Sequence, residues 1–341
     1  MADKVDLEAL SDLATPWSIH VVATLGVAGH MAAGITTIDE LARKADCDGE
    51  SLARVLRHLV NKGLFEESGD GEFTLNEAAR GFLDPGLSRA LNLDGHGGRI
   101  AGAWSGLLAA VRTGRPTYQQ VFGLPFWADL DADPDHAASY DALMGDQGRG
   151  VPDPAILIGD DWEDVRHVVD VGGGTGGMLA EILRAHPGVR GTLVDLPRTV
   201  ARSGEVFAAA GVADRAAVSG QSFFDPLPAG ADVYLLKSLL LDWPDEEAAE
   251  LLGRCAEAAV PDGRVVVVGG VSDGPAPRRA GLLLMVLTGG KPRGLDEFRA
   301  LAAKAGLTIT TAGPGPSGRF TVECRPIPPS EPAVRPVTSR G

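Results

Sequence analysis

The chain has 341 residues, 44% of them apolar, and its 31 Lys and Arg against 46 Asp and Glu give a net charge of −15. At roughly 100–200 residues per domain this is room for two domains with full cores, which excludes peptide-sized and disulfide-stapled scaffolds. The acidic balance repels phosphate backbones and acidic membrane surfaces, so neither nucleic acid nor membrane is an expected partner. The opening MADKVDLEALSDL has no long apolar stretch, and no segment approaches the ~18 apolar residues of a membrane span. Cys47, Cys255 and Cys324 are odd in number, far apart and without a C-x-x-C pair, and read as reduced thiols of a cytoplasmic protein rather than a zinc site.

From Pro16 to about Asp84, WSIHVVATLGVAGHM, IDELARKA and ESLARVLRHLVNKGLFEE place apolar residues at helical spacing, and the strand-like GEFTL follows. That order predicts a small winged-helix unit, with helices starting at Thr37, before Asp39 and Glu40, and at Asp48. Residues 97–150 read as helical, interrupted by GRPTY, LPFW and DPD. At VPDPAILIGDDW the character changes. Beyond it VRHVVDV, GTLVDL, AAVSG, ADVYLLK and RVVVVGG are apolar runs of the kind buried on both faces. Helical stretches such as GMLAEILRAH, TVARSGEVFAAAG and EEAAELLGRCAEAAV lie between them. The handedness of β-α-β crossovers then gives an open parallel sheet with helices on both sides, an α/β Rossmann-like core. GLTITTAG and GRFTVECR suit an antiparallel hairpin at the sheet edge, and five prolines from Pro326 onward read as a disordered tail. The expected organisation is a winged-helix-like unit over 1–95, linking helices over 96–155, a nucleotide-binding domain over 156–325 and a tail over 326–341.

VVDVGGGTGGMLAEIL sets a glycine loop between a strand and a helix, where a tight turn lets a ligand touch bare backbone. Gly172, Gly174 and Gly177 fit the dinucleotide pattern G-x-G-x-x-G; Asp170, Gly172, Gly174 and Gly176 fit D-x-G-x-G-x-G; and the same glycines also suit close strand–helix packing alone. Three features favour S-adenosylmethionine. Asp170 stands where a cationic amino group would lie, the loop sits in mid-chain after an α domain, and Asp195 ends the next strand, where a carboxylate takes ribose hydroxyls.

VVDVGGGTGGMLAEILRAHP, LVDLP and SFFDPLPAGADVYLLKSLLLDWPDEEAAELLGRCAEAAVPDGRVVVV together resemble the caffeic-acid-type (plant-type) small-molecule O-methyltransferases, including bacterial members that decorate polyketides and other secondary metabolites. The resemblance covers nearly the whole chain. It implies a class I methyltransferase core, S-adenosylmethionine or S-adenosylhomocysteine as cofactor, a homodimer through the N-terminal helices, and a hydrophobic cavity between the domains for a small-molecule substrate. Carried over by position, Gly172, Gly174 and Gly176 wrap the methionine part, and Asp195, followed by Leu196, binds the ribose diol. Ser222 and Phe223 stand beside the adenine, with Ser222 where the family usually has Asp. Lys237 and Trp243 match the lysine and tryptophan near the cofactor; their ordinary readings are a strand-end lysine and a packed aromatic.

The family's catalytic unit is missing. Its histidine base falls at Leu241, and its two orienting glutamates fall at Gly269 and Pro292. Loss of the carboxylates with their imidazole is coherent, because buried carboxylates without it would be unpaired charges. No other histidine takes the role by position: His167 lies in a strand, His186 at a helix end, and His20, His30 and His58 on N-terminal helices, while His96 and His136 lie in the linking helices that the family uses to line its cavity. Two enzymatic readings follow. In one, methyl transfer works by proximity on an oxygen already ionised near neutral pH. In the other, the methyl group stays and the sulfonium charge serves a hydroxylase, decarboxylase or pericyclic cyclase, in the manner of an oxyanion hole.

By analogy the substrate wall comprises Phe126, Trp127, Tyr140 and Met144, Leu241, and Leu284, Met285 and Leu287, which suit a flat polycyclic or polyketide-like molecule. Trp104 and Phe122 read as ordinary core, and Arg149 as a candidate for a carboxylate or keto oxygen. A non-enzymatic alternative is a DNA-binding regulator that senses S-adenosylmethionine. Arg54, Arg57 and Lys62 support it, whereas Asp39, Glu40, Asp46, Asp48, Glu50, Glu66 and Glu67 around them oppose it.

Overall fold

The computed structural model describes residues 5–69, 71–146, 153–159, 161–259, 261–274, 281–316 and 318–328. Arg149 and the proline-rich segment from 329 onward lie outside them. The described residues form two compact units, divided as 1–109 with 117–149 and 110–116 with 150–341.

In the first unit, helices Ala14–Thr24, Val27–Ala32, Ile38–Lys44 and Gly49–Asn61 surround a core of Val27, Leu41, Leu56, Leu59, Phe65 and Phe73. Asp48 caps the last of these helices as its sequence position predicts, accepting the Ser51 N–H at 2.8 Å. That helix stops at Asn61 instead of running on through LFEE. Gly63 adopts φ +81°, the Gly63 N–H donates to the Val60 carbonyl at 2.9 Å, and the Leu64 N–H donates to the Leu59 carbonyl at 2.9 Å, a Schellman closure. The residues beyond turn into strand β1 (Glu66–Gly69), which pairs antiparallel with β2 (Glu72–Thr74) to form the wing. Further helices span Pro85–Leu91, His96–Ala103, Leu107–Thr113, Tyr118–Phe122, Phe126–Ala132 and Pro134–Asp146. They break at Gly114–Pro116, Pro125 and Asp133–Pro134, where proline denies the helix an N–H donor.

The second unit is built on a seven-stranded sheet. Its strands are β3 (His167–Val171), β4 (Arg190–Asp195), β5 (Ala216–Gly220), β6 (Val233–Lys237), β7 (Arg264–Val268), β10 (Leu307–Pro314) and β11 (Phe320–Pro326), in spatial order β10-β11-β7-β6-β3-β4-β5. The short strands β8 (Val271–Ser272) and β9 (Arg293–Gly294) pair separately. Strands β3 to β7 are mutually parallel, and the β10–β11 hairpin joins antiparallel to β7. The strand order reverses at β3, whose carboxyl end is where open α/β sheets place their ligands. Val168, Val169 and Val171 of β3 and Val265 to Val268 of β7 are buried on both faces, as their continuous apolar runs require. AAVSG is different: it forms the β5 edge, with Val218 46% exposed, because β5 pairs on one side only.

Candidate functional site

Strand β3 delivers Asp170 and Val171 to the glycine loop, and the helix Gly177–Ala185 leaves it. Gly172, Gly174 and Gly176 have φ of +68°, +65° and +88°, a left-handed backbone that side chains resist. A Cβ at Gly172 would lie 2.6 Å from Leu239, and one at Gly176 2.6 Å from Phe207. Packing alone demands these two glycines. Gly174 is unlike them, since nothing lies within 4 Å of where its Cβ would stand. Its bare backbone faces open space, and its N–H donates to Asp195 Oδ2 at 2.8 Å while the Leu196 N–H donates to Asp195 Oδ1 at 2.7 Å. The carboxylate ending β4 is thereby oriented at the loop.

Asp170 is 1% exposed, and its Oδ2 has no hydrogen-bond partner among the described residues. Burial, and then the Asp195 carboxylate, push its carboxyl up to about 7, with Lys237 at the end of β6 opposing. A buried carboxyl oxygen without a partner at the foot of the glycine loop, against Gly173, is fitted to receive a cationic donor.

The segment after β5 is tied to the same place, as the Gln221 N–H donates to the Asp195 carbonyl at 3.0 Å. Ser222 Oγ accepts the Phe224 N–H at 3.2 Å. Phe223, 9% exposed, meets Trp243 edge-on, with ring centroids 5.8 Å apart at 77°. Ser222, Phe223 and Trp243 thus belong to one neighbourhood, reached from the ends of β5 and β6.

The base position carries an apolar side chain, and the backbone around it is closed to the family's carboxylate. Gly269 and Gly270 have φ of +76° and +80°. A Cβ at Gly269 would lie 3.2 Å from Ser238 Oγ, and one at Gly270 3.3 Å from Leu241 Cβ. From the other side Gly290 abuts the Leu241 carbonyl, and its Cβ would lie 2.8 Å from Asp242 Cα. A glutamate at 269 would therefore need a different backbone.

Sequence reasoning missed Arg293, which follows Pro292 and is 1% exposed. Its guanidinium donates to the carbonyls of Leu240 and Trp243, each at 2.8 Å, and its Nε to Asp245 Oδ1 at 2.9 Å. It pins the short 3-10 turn Leu240–Asp242, which contains the base position. The only sequence signal is an arginine between proline and glycine in KPRG. Ser238, at φ +53° directly after Lys237, is a second feature that the sequence did not mark.

In the first unit Phe126 is buried, and Trp127, Tyr140 and Met144 are half-buried. Phe126 and Trp127 stand edge-on at 4.8 Å, and Trp127 and Tyr140 at 6.1 Å. Phe122 lies under the Arg99 guanidinium, 4.8 Å from the ring centroid. Trp104 is not core: it is 40% exposed, at the 3-10 turn Trp104–Gly106. Met285 and Pro292 are half-buried in the second unit, Met285 on the helix Leu282–Leu287.

Residues 104–308 match the family model of the O-methyltransferase domain. The chain is 42% identical to the 2,7-dihydroxy-5-methyl-1-naphthoate 7-O-methyltransferase of Streptomyces carzinostaticus, over 92% of this chain and 95% of that protein. It is 41% identical to the aclacinomycin 10-hydroxylase RdmB of Streptomyces purpurascens, over 89% of this chain and 84% of the other. Among solved structures it resembles the O-methyltransferase NcsB1 from neocarzinostatin biosynthesis, in complex with S-adenosylmethionine and 2-hydroxy-5-methyl naphthoic acid. The TM-score is 0.85 and the identity 40%, over 95% of this chain and 100% of that one. With the switch-point glycine loop, the parallel sheet and these matches in agreement, the chain belongs to the O-methyltransferase domain family and is an enzyme of it.

Proposed function

We propose that the glycine cradle holds S-adenosylmethionine or S-adenosylhomocysteine, and that the enzyme acts on a flat polycyclic or polyketide-like secondary metabolite. The observation that carries this reading is Asp170, whose buried Oδ2 lacks a partner at the foot of the glycine loop, against Gly173. When bound, S-adenosylmethionine supplies an electrophilic methyl carbon and a fixed positive charge. Asp170 receives the ammonium of its methionine part, and Gly172, Gly174 and Gly176 shape the loop around it. Asp195, aimed by two backbone N–H groups, takes the ribose hydroxyls. Phe223 and Trp243 form the apolar wall for the adenine, and Ser222, whose oxygen already accepts the Phe224 N–H, keeps its hydroxyl proton to offer. Lys237 sets the charge balance at Asp170.

Leu241, Gly269 and Pro292 offer no group that takes a proton, so methyl transfer rests on holding an ionised phenol or enol oxygen in line with the methyl carbon. Such positioning supplies up to ~7–11 kcal/mol in well-oriented model reactions. Phe126, Trp127 and Met144, with Leu241 and Met285, are assigned to substrate. A second reading has the methyl group retained and the positive charge stabilising an anionic transition state, as a hydroxylase, decarboxylase or pericyclic cyclase would use it. The left-handed backbone at Gly269, which excludes the orienting glutamate by conformation as well as by sequence, is compatible with either reading. The experiment is incubation with methyl-labelled S-adenosylmethionine and metabolite extract from a producer strain lacking the gene. Label in the product with stoichiometric S-adenosylhomocysteine means methyl transfer; conversion that needs the cofactor and leaves it intact means the second reading.

The first unit is proposed to pair two copies, since Leu7, Leu10 and Leu13 are 76%, 74% and 74% exposed. Nucleic acid is not proposed as a partner: Arg57 is paired with Glu67 at 3.0 Å and Lys62 with Asp12 at 2.8 Å. No helix among the described residues is long and apolar enough to cross a membrane. We assign the enzyme to the cytoplasm.

A further inference from the structure

Among the described residues, three that are not glycine hold a left-handed backbone: Asp46, Phe65 and Ser238, at φ +50°, +68° and +53°. Asp46 follows the end of the helix Ile38–Lys44, and a short polar side chain tolerates that conformation there. Phe65 is held by the core of the first unit, its ring stacked on Phe82 with centroids 5.8 Å apart. Neither reason applies to Ser238. Its N–H donates to the Val268 carbonyl at 2.9 Å, one residue beyond the last pair of β6 with β7, Lys237 opposite Val268. The next side chain, Leu239, lies so close to Gly172 that a Cβ on the glycine would stand 2.6 Å from it. The sheet on one side and the glycine loop on the other therefore impose the turn. Glycine would make it without strain, as it does at Gly172, Gly269 and Gly270, yet the chain carries serine. Strain retained at such a place points to a task for the side chain.

The hydroxyl stands, within the second unit, among the positions where the family's catalytic unit falls. Ser238 Oγ is 3.2 Å from where a Cβ at Gly269 would be, so it lies in the direction that a side chain at 269 would take. Gly269 is itself fixed, its N–H donating to the Phe320 carbonyl at 3.1 Å, and the next residue, Gly270, packs on Leu241. Ser238 is half-buried, and its hydroxyl makes no hydrogen bond with any of the described residues. It follows β6 on the side of β7, whereas Asp170 and Asp195, the carboxylates assigned to the cofactor, lie at the ends of β3 and β4 on the other side.

We propose that the Ser238 hydroxyl donates a hydrogen bond to the reacting oxygen of the substrate, an ionised phenol or enol, and so selects the acidic hydroxyl on which the enzyme acts. This deepens the proposed function by naming a substrate-binding residue, and it rests on that reading for the substrate being a phenol or enol. A hydroxyl paired with an anion makes a stronger bond than one paired with a neutral oxygen, and it keeps its own proton, so the substrate oxygen stays ionised. The bond serves either chemistry: it holds the oxygen for methyl transfer, and it stabilises negative charge where the methyl group is retained.

The test uses the full chain and, as probe, the compound that the wild type consumes from the producer-strain extract, isolated by its mass. Rate should follow the hydroxyl and stability the backbone. Ser238→Gly should raise the urea midpoint and slow conversion at saturating S-adenosylmethionine at least about tenfold. Ser238→Ala should slow it equally without raising the midpoint. Ser238→Thr keeps the hydroxyl on a β-branched residue that resists the turn, so the midpoint should fall while conversion stays near the wild-type rate. If that variant fails to fold, Ser238→Asn, which tolerates the turn and has an N–H to donate, takes its place with the same expected rate. S-adenosylhomocysteine should bind every variant with one affinity in calorimetry. Conversion by Ser238→Gly at the wild-type rate overturns the proposal, and so does a hydroxyl- or amide-bearing variant as slow as Ser238→Ala. Loss of S-adenosylhomocysteine affinity in Ser238→Ala assigns the hydroxyl to the cofactor and overturns it as well. A wild type that binds S-adenosylhomocysteine and converts nothing overturns the substrate reading and this proposal with it, whereas a wild type that does not bind it overturns the cofactor reading first.

Discussion

Asp170→Asn replaces a buried carboxyl by an amide of the same shape, and its effects on stability and on cofactor binding should run in opposite directions. The Asp170 carboxyl is pushed up to about 7, against ~3.9 in an unfolded chain. Because the folded value is the higher one, the folded state holds the extra proton, and that contribution is full at low pH and lost as pH rises to about 7. The window from pH 5 to 7 spans about two units, so at ~1.4 kcal/mol per unit the wild type should lose about 3 kcal/mol relative to the variant between pH 5 and pH 8. Urea unfolding of both proteins at pH 5, 6, 7 and 8 reads this difference directly. Calorimetry with S-adenosylhomocysteine reads the functional side. Above pH 7 the variant should bind at least ~10-fold more weakly, since a charge-assisted hydrogen bond is replaced by a neutral one. Below pH 7 the wild type should approach the variant, by roughly tenfold per pH unit. A stability difference that stays constant from pH 5 to 8, together with unchanged binding, would refute the assignment of Asp170 as the buried receptor of a cation.

Asp195→Ala removes both oxygens that Gly174 and Leu196 orient, and S-adenosylmethionine and S-adenosylhomocysteine should each bind about 100-fold more weakly in titration calorimetry; unchanged affinity would sink the cofactor assignment. Leu241→His alone should raise methyl-transfer turnover by less than ~10-fold, since both orienting carboxylates are absent and an imidazole needs its partners to be a positioned base. Adding Gly269→Glu should cost about 1–2 kcal/mol for the left-handed backbone without restoring turnover, and a large gain from either change would show that the site was already competent. Arg293→Met leaves the Leu240 and Trp243 carbonyls without their donor and should destabilise the protein by about 3 kcal/mol in urea; a loss below ~1 kcal/mol would mean that the Leu240–Asp242 turn holds itself.

The core was legible because burial on both faces leaves a composition signature. The valines of VRHVVDV and RVVVVGG run on without the polar alternation of a half-exposed strand, and both became central strands. AAVSG is a run of small residues with a single valine and turned out to be an edge, a distinction that depends on having a neighbour on one side only. The end of the helix Gly49–Asn61 was readable in Gly63, yet the apolar residues Leu64 and Phe65 continued the helical spacing past it. The missing base was visible at Leu241, as one side chain among fixed neighbours. Its physical reason lay in torsion angles: Gly269 and Gly270 are simply glycines in a sequence, whereas in the fold both are left-handed and one presses on Leu241. Arg293 was invisible for a further reason, as its acceptors at 240, 243 and 245 come from a loop some fifty residues earlier.

The place of β11 in the sheet has a consequence for how the chain reaches its native state. β7 lies at the sheet interior only because β11 pairs with it, Val268 opposite Thr321 and Val265 opposite Cys324. During synthesis the parallel strands β3 to β7 exist before residues 320–326 have been made, and for that interval the four valines of β7 offer an unpaired, strongly apolar ladder to any other nascent chain. A ribosome that stalls, or a message that ends, shortly before residue 320 would release a polypeptide with almost all of its site residues and a sticky seam in place of an edge. The charge of −15 works against such encounters, since like-charged nascent chains repel one another before their strands can align.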